Sequence, residues 1–488
     1  MDLIERIDRW SRQTPDRIAH VSGDRTLTYL ELSRDSDRLA ARLMRILPDD
    51  DSPVAVLGHK QPEMLLAFLG AVKAGHPYIP IDNSLPAQRV QTILETAKAV
   101  YLLTPEKVRD LLSDDAAIGA FSPRPPAADC AWYVIFTSGS TGNPKGVVIT
   151  SGCLESFIDW TLAEQHFTEA GEVFLNQAPF SFDLSVMDLY SSLVTGGTLF
   201  SLTREVIAEP KLLHGTLAAA GVTVWVSTPS FAQLCLVEPG FSALALPGAR
   251  KFWFCGETLA PEVAANLLER FPHAEVWNTY GPTEATVATT SVQVDQDVLA
   301  RYNPLPVGRP KPDCRIVIQG EGGRAEALER GEIVIAGPNV SPGYLNRPDL
   351  TGQAFYRLDG LPAYRTGDTG HYQDGLLFFD GRIDFQIKLH GYRIEIGDIE
   401  SHLRALADVQ DAAVIPLTKN GRIDYLAAYV ILKRRAPGSD FEIARSLKRR
   451  LGEGLPDYMI PRKFVFLAQF PMTPNGKTDR RKLAEQLQ

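Results

Sequence analysis

Apolar residues recur along the chain in two rhythms, and each predicts a different element. In the opening stretch MDLIERIDRW, Leu3, Ile7 and Trp10 lie at helical spacing on an acidic, amphipathic segment. Between Gly221 and Gly281 the rhythm alternates. VTVWVST (222–228), KFWFC (251–255) and AEVWNTY (274–280) read as strands, while PEVAANLLERF (261–271) begins with proline and reads as a helix. That alternation predicts a mostly parallel sheet covered by helices. After about Gly331 the texture changes to short strands and glycine turns, as in GEIVIAGP, GLLFFDGR and FQIKLHGYRIE. IGDIESHLRAL and FEIARSLKRRL then read as amphipathic helices flanking AAVIPL and LAAYVIL, which predicts a small α+β domain from about Ile383 onward. One further run, YVIF (133–136), reads as a buried strand. It stops at Thr137 and is followed by Ser138, Gly139, Ser140, Thr141 and Gly142.

Length and composition narrow the class. At 488 residues the chain exceeds what one hydrophobic core usually serves, so two or more domains are expected. A 44% hydrophobic content with 22% charged residues suits a globular protein, and the net charge of −9 argues against nucleic acid or an anionic membrane as the main partner. The N-terminus lacks the basic and apolar regions of a signal peptide, and the apolar run MLLAFLGAV (64–72) is too short to span a bilayer. Five cysteines, with no CxxC pair, suggest reduced thiols in a cytosolic enzyme. No clustered His/Cys pattern supports a zinc site.

The glycine and hydroxyl loop has the chemistry of a phosphate cradle. Glycine lets backbone amides approach a ligand closely, hydroxyls add donors, and Lys145 adds a positive charge. The spacing is wrong for a Walker A loop, because Pro144 and Lys145 stand where Gly-Lys is required. On residue types alone, a surface turn is the lesser alternative.

TSGSTGNPKG resembles the phosphate loop of the adenylate-forming enzymes: acyl-CoA synthetases, luciferases and the adenylation domains of peptide synthetases. The resemblance spans nearly the whole chain. FLGAVKAGHPYIPID (68–82), NTYGPTEATV (278–287), GEIVIAGPNVSPGYLNRP (331–348), YRTGD (364–368), GRIDFQIKLHGYRIE (381–395), LPDYMIP (455–461) and NGKTDR (475–480) follow in the family's order. NQAPFSFDLSVMDLY (176–190) and FCGETL (254–259) resemble a branch that activates D-alanine for teichoic acid modification. The resemblance implies an α/β fold. A large N-terminal core (1–382) of layered subdomains with mostly parallel sheets would bind ATP and amino acid. A smaller, mobile C-terminal α+β lid (383–488) would carry the catalytic lysine.

It also implies a two-step ligase. A carboxylate attacks the α-phosphate of ATP, pyrophosphate leaves, and a thiol then takes the acyl group from the adenylate. Thr137, Ser138, Gly139, Ser140, Thr141, Gly142 and Lys145 would hold the departing phosphates. Asn278, Thr279, Tyr280, Gly281 and Pro282 would line the adenine, with Thr283 donating to the α-phosphate and Glu284 holding Mg²⁺. Asp368 would accept the ribose hydroxyls, with Phe379 and Arg382 beside the nucleotide. Lys477 would be the adenylation lysine, Asp384 the hinge, and Gly391 would leave room in the thiol tunnel. Taken without the family, Glu284 is equally a helix-start acid and Asp368 a solvated loop residue.

Asp183 decides the substrate class. An amino acid brings an ammonium into an apolar pocket, where a buried charge needs a partner. A helix N-cap ahead of Leu184 and Met187 is the competing reading. By resemblance the pocket comprises Asp183, Leu184, Met187, Val226, Trp253, Cys255, Thr279, Val287, Ala288 and Lys477. Its bulky members leave room for a small acid such as D-alanine, and Cys255 would pack beside the substrate's Cα. Handedness rests on the resemblance alone. The expected partner is the phosphopantetheine thiol of a small D-alanyl carrier protein, and the expected enzyme is a cytoplasmic monomer. Two alternatives stand: a free-standing adenylation enzyme for another small amino acid, and a non-catalytic nucleotide-binding sensor.

Overall fold

The computed structural model describes residues 2–47, 50–113, 126–139, 143–169, 171–320, 330–383, 386–389, 392–419, 422–434, 438–472 and 478–486. The chain divides into two compact units. The first holds Met1–Asp82, Ala97–Ile135 and Gly146–Ile383; the second holds Asn83–Thr96, Phe136–Lys145 and Asp384–Gln488.

The helix predicted from Leu3, Ile7 and Trp10 spans Leu3–Gln13, capped by Asp2, and buries all three residues. The run MLLAFLGAV lies in the helix Pro62–Lys73, which is buried all round and so needs no polar face. No helix among the described residues is long and apolar enough to cross a membrane.

A nine-stranded sheet dominates the first unit. Strands Glu275–Tyr280, Lys251–Phe254, Val224–Ser227, Val173–Asn176, Thr198–Ser201 and Ile18–Ser22 run parallel in that order. Antiparallel strands close both margins: Thr290–Gln293 and Arg309–Pro310 at one, Arg25–Thr28 at the other. The predicted helix is Pro261–Arg270 with proline in its first turn. The predicted strand 222–228 is shorter than expected and ends at Ser227. Thr228 takes the N-cap position and Pro229 opens the next helix, so the backbone leaves the sheet there.

A six-stranded sheet places Ala131–Thr137 between Lys145–Thr150 and Tyr78–Asp82. The glycine turns after Gly331 belong to a five-stranded antiparallel sheet built on Gly331–Ala336 and the long strand Leu361–Gln373. Within the second unit, Val409–Lys419, Arg422–Leu432 and Lys463–Phe466 form a three-stranded sheet. Helices Ile396–Ala405 and Asp440–Leu451 pack on it through Ile399, Leu403, Ile443 and Leu447. The architecture is α/β, with mostly parallel strands in the two large sheets.

Candidate active site

The strand Glu275–Tyr280 runs into a short turn that concentrates chemistry. Gly281 is required there, because a Cβ would lie 2.6 Å from the Ala288 Cα. Thr283–Ala285 form one 3₁₀ turn, after which Thr286 and Val287 adopt positive φ of 51° and 68°. A β-branched residue held in that region carries strain of about 1–3 kcal/mol, which persists only where the surroundings over-determine it. Here they do. Thr289 N–H returns to the Tyr280 carbonyl at 2.8 Å, and Thr286 Oγ1 donates to the Asn339 carbonyl at 2.7 Å. The Asn339 amide donates to the Ala285 carbonyl at 2.7 Å.

Three carboxylates are brought to this region, each meeting a hydroxyl of the chain itself. Glu284, with 0% exposure, accepts from the Tyr344 hydroxyl at 2.8 Å. Asp368, 3% exposed, accepts from the Tyr280 hydroxyl at 2.6 Å and from Arg382, its partner across the antiparallel ladder. Burial, reinforced by Asp368, pushes the Tyr280 phenol well above its ordinary value, so it remains a donor. Asp183 accepts from the Thr283 hydroxyl at 2.7 Å. It occupies the N-cap position of the helix Leu184–Thr195, yet its side chain makes no capping bond. The carboxylate points to Thr283 instead of its own helix, which sets aside the capping alternative.

The apolar pocket residues come together. Leu184, Met187, Val226, Trp253, Cys255, Val287 and Ala288 all belong to one buried cluster. Cys255 Sγ lies 3.6 Å from the Val287 carbonyl, and Thr279 Oγ1 donates to the Phe254 carbonyl at 2.7 Å. The Asn278 amide donates to the Pro306 carbonyl at 2.7 Å. Phe379 lies 6.0 Å from Tyr280, ring centre to ring centre.

The start of the glycine and hydroxyl loop belongs to the second unit. Thr137 Oγ1 is buried with no partner among the described residues. Ser138 donates to the Arg393 carbonyl at 2.8 Å and accepts from Glu395 N–H at 3.0 Å. A Cβ on Gly139 would lie 2.0 Å from the Asn143 carbonyl oxygen, so no other residue fits that turn. Lys145 begins the strand Lys145–Thr150. Ser140, Thr141, Gly142, Asp384, Gly391 and Lys477 lie outside the described residues.

Sequence reasoning missed four side chains that position the site. Asn339, Ser341 and Tyr344 stand in the quoted motif GPNVSPGY, but nothing in its pattern tied them to Glu284. Ser341 N–H donates to the Glu284 carbonyl at 2.9 Å, so the motif grips that residue at backbone and side chain. Lys60 carried no signal at all. It is 1% exposed, and its ammonium donates to Asn176 Oδ1 and the Ala178 carbonyl at the head of the segment leading to Asp183. Asn176 in turn bonds Asp188, and Ser201 bridges Asn176 to His20 at 2.8 and 2.9 Å.

The chain belongs to the AMP-binding enzyme family, whose main domain matches residues 7–345 and whose C-terminal domain matches residues 398–477. It is 51% identical over 503 residues to a D-alanine--D-alanyl carrier protein ligase of Bacillus cereus (strain B4264). A protein of the same name from Bacillus anthracis (strain CDC 684 / NRRL 3495) is 51% identical over 502 residues; both comparisons cover 100% of each chain. Among solved structures, an NRPS protein containing adenylation and PCP domains superposes with a TM-score of 0.84 at 26% identity, covering 99% of this chain and 84% of that one. An o-succinylbenzoate CoA synthetase from Bacillus subtilis shares the fold, with a TM-score of 0.85 at 23% identity over 99% of this chain and 98% of that one.

Proposed function

We propose that this protein is an AMP-forming ligase that activates D-alanine and transfers it to a carrier protein. The first step makes D-alanyl-adenylate and releases pyrophosphate; the second passes the acyl group to the phosphopantetheine thiol of the carrier. The observation that carries the reading is Asp183. It is a carboxylate immediately ahead of a buried apolar cluster, turned away from its own helix. An ammonium-bearing acid with a small side chain needs that combination, and a fatty acid would leave the charge unanswered. Full-length relatives at 51% identity with that printed activity support the choice of D-alanine.

In this reading Asp183 orients the amino acid, while Asp368 and Arg382 receive the ribose beside Tyr280 and Phe379. Thr283 donates to the α-phosphate, and the loop from Thr137 to Gly142 receives the leaving phosphates. Glu284 fits a Mg²⁺ site, since a single hard carboxylate oxygen commonly suffices beside phosphate oxygens. The ion would neutralise phosphate charge there. Lys477 is assigned to adenylation, Asp384 to the hinge between the two steps, and Gly391 to the thiol path. We assign the product to D-alanylation of lipoteichoic acid. The five cysteines form no disulfide, which suits work in the cytoplasm.

ATP–pyrophosphate exchange with D-alanine, L-alanine, glycine, D-serine and a short fatty acid tests the proposal. Strong exchange with D-alanine and much weaker exchange with L-alanine is expected. A one-methyl difference shifts binding by only about 1–3 kcal/mol, so the weaker substrates retain measurable turnover. Strong exchange with another amino acid would leave Asp183 in its role and remove D-alanine. No exchange with any acid would favour the sensor.

A further inference from the structure

The two halves of the site share one donor. Thr283 is assigned above to the α-phosphate, yet its hydroxyl donates at 2.7 Å to Asp183 Oδ2, the carboxylate assigned to the substrate ammonium. A threonine hydroxyl carries one proton and can donate one bond at a time. Thr283 is 6% exposed, opens the 3₁₀ turn Thr283–Ala285, and has its backbone carbonyl taken by Thr286 N–H at 3.2 Å. Its backbone is therefore held, and redirecting the bond requires only rotation of the side chain or of its O–H group.

We propose that Thr283 couples the two substrate sites, its hydroxyl held by Asp183 until the amino acid binds and then released to the nucleotide. The inference rests on the proposed roles of Asp183 and Thr283. The physical cause is a change in acceptor strength. A bond to an ionised carboxylate is roughly twice as strong as one between neutral groups. Without amino acid, Asp183 outcompetes other acceptors for the Thr283 proton. An ammonium brings three donors and a full positive charge, neutralises Asp183, and loosens its hold on the hydroxyl. The freed O–H then donates to an anionic phosphate oxygen. The effect is reciprocal, because a nucleotide that draws the hydroxyl away opens Asp183 to the ammonium. Each substrate thus raises the affinity for the other by the same factor.

The test is calorimetric titration of the full-length protein with D-alanine, with and without saturating α,β-methylene-ATP, which cannot release pyrophosphate. The wild type is expected to bind D-alanine about tenfold more tightly when the nucleotide is present. Thr283→Ser keeps the hydroxyl and should retain that gain. Thr283→Val keeps the shape without the proton, and its gain should fall below about twofold while both ligands still bind. Undiminished gain in Thr283→Val overturns the coupling. Asp183→Asn separates the coupling from the reading beneath it. If D-alanine binding is unchanged in Asp183→Asn, the role of Asp183 fails and the coupling fails with it. If Asp183→Asn loses D-alanine while Thr283→Val keeps the full gain, only the coupling is overturned.

Discussion

Two polar clusters stand at opposite ends of one short segment, Asn176 to Asp183; Asn176 and Ser201 of the first and Tyr280 of the second each end a parallel strand of the nine-stranded sheet. At the Asn176 end, Lys60, Asp188, His20 and Ser201 gather around Asn176 and are almost wholly buried, although His20 Nδ1 and Asp188 Oδ1 have no partner among the described residues. Phe180 covers the Lys60 ammonium, its ring centre 4.7 Å away. At the Asp183 end, carboxylates meet hydroxyls of Thr283, Tyr344 and Tyr280. The first cluster joins groups whose loss would leave buried charge behind. The second joins carboxylates mainly to hydroxyls, with Arg382 as a charged donor on Asp368; in the proposed reading a ligand's ammonium, metal ion or ribose replaces the hydroxyls. Burial of polar groups therefore does not by itself mark a site; exchangeable partners do.

The contrast breaks most sharply at Asp183. Asp183→Asn keeps an acceptor for Thr283 but removes the charge, so D-alanine-dependent exchange should fall about 10²–10³-fold. The urea midpoint should stay near that of the wild type. A large loss of stability would place Asp183 with the closed cluster.

Lys60→Met attacks the other end. It strips Asn176 and the Ala178 carbonyl of a donor and leaves Asp188 without the nearby positive charge. The expected loss is about 3–5 kcal/mol in urea unfolding. The double variant Lys60→Met/Asp188→Leu should recover most of it, since replacing both buried groups removes the uncompensated charge. No recovery would mean that packing, not charge, sets the loss.

His20 sharpens the picture through pH. Burial, and secondarily Lys60, lower its pKa from 6.5 to about 3. The unfolded chain therefore takes up a proton below pH 6.5 that the folded protein refuses until about pH 3. Stability is lost as pH falls through that window, by up to about 1.4 kcal/mol per pH unit. His20→Gln should flatten the difference in unfolding free energy between pH 7 and pH 5 by about 2 kcal/mol. An unchanged pH dependence would mean that His20 takes up its proton equally in the folded and unfolded chain.

The smallest expected effect is at Tyr344. Tyr344→Phe removes the hydroxyl on Glu284 but keeps the ring packing against Phe355 at 5.2 Å. Because the ion replaces that hydroxyl in the proposed reading, removing a competitor worth about 0.5–1.5 kcal/mol should lower the Mg²⁺ requirement in pyrophosphate exchange several-fold. An unchanged requirement would detach Glu284 from the ion.

Much of this was legible in one dimension because it depends on local order. The helix from Leu3, the proline-led helix at Pro261 and the strand ending in Thr137 follow from side-chain period and from backbone limits on proline. The phosphate loop and NTYGPTEATV are contiguous, so their chemistry can be read in line. Asp183 was legible as a charge out of place but not as an acceptor, because a capping aspartate has the same local surroundings. Only Thr283, a hundred residues away, decides between the two. Lys60 was invisible for the same reason: a lysine after a strand is ordinarily solvated, and its partners at Asn176 and Ala178 arrive through the sheet.

The sequence by itself determined the period of each element, the glycine and hydroxyl loop after the strand, and the inventory of charges available for catalysis. Tertiary structure decided which of those charges would be sealed and which left open to exchange. Sealing requires donors and acceptors from distant strands to meet in three dimensions, and no local pattern encodes that meeting.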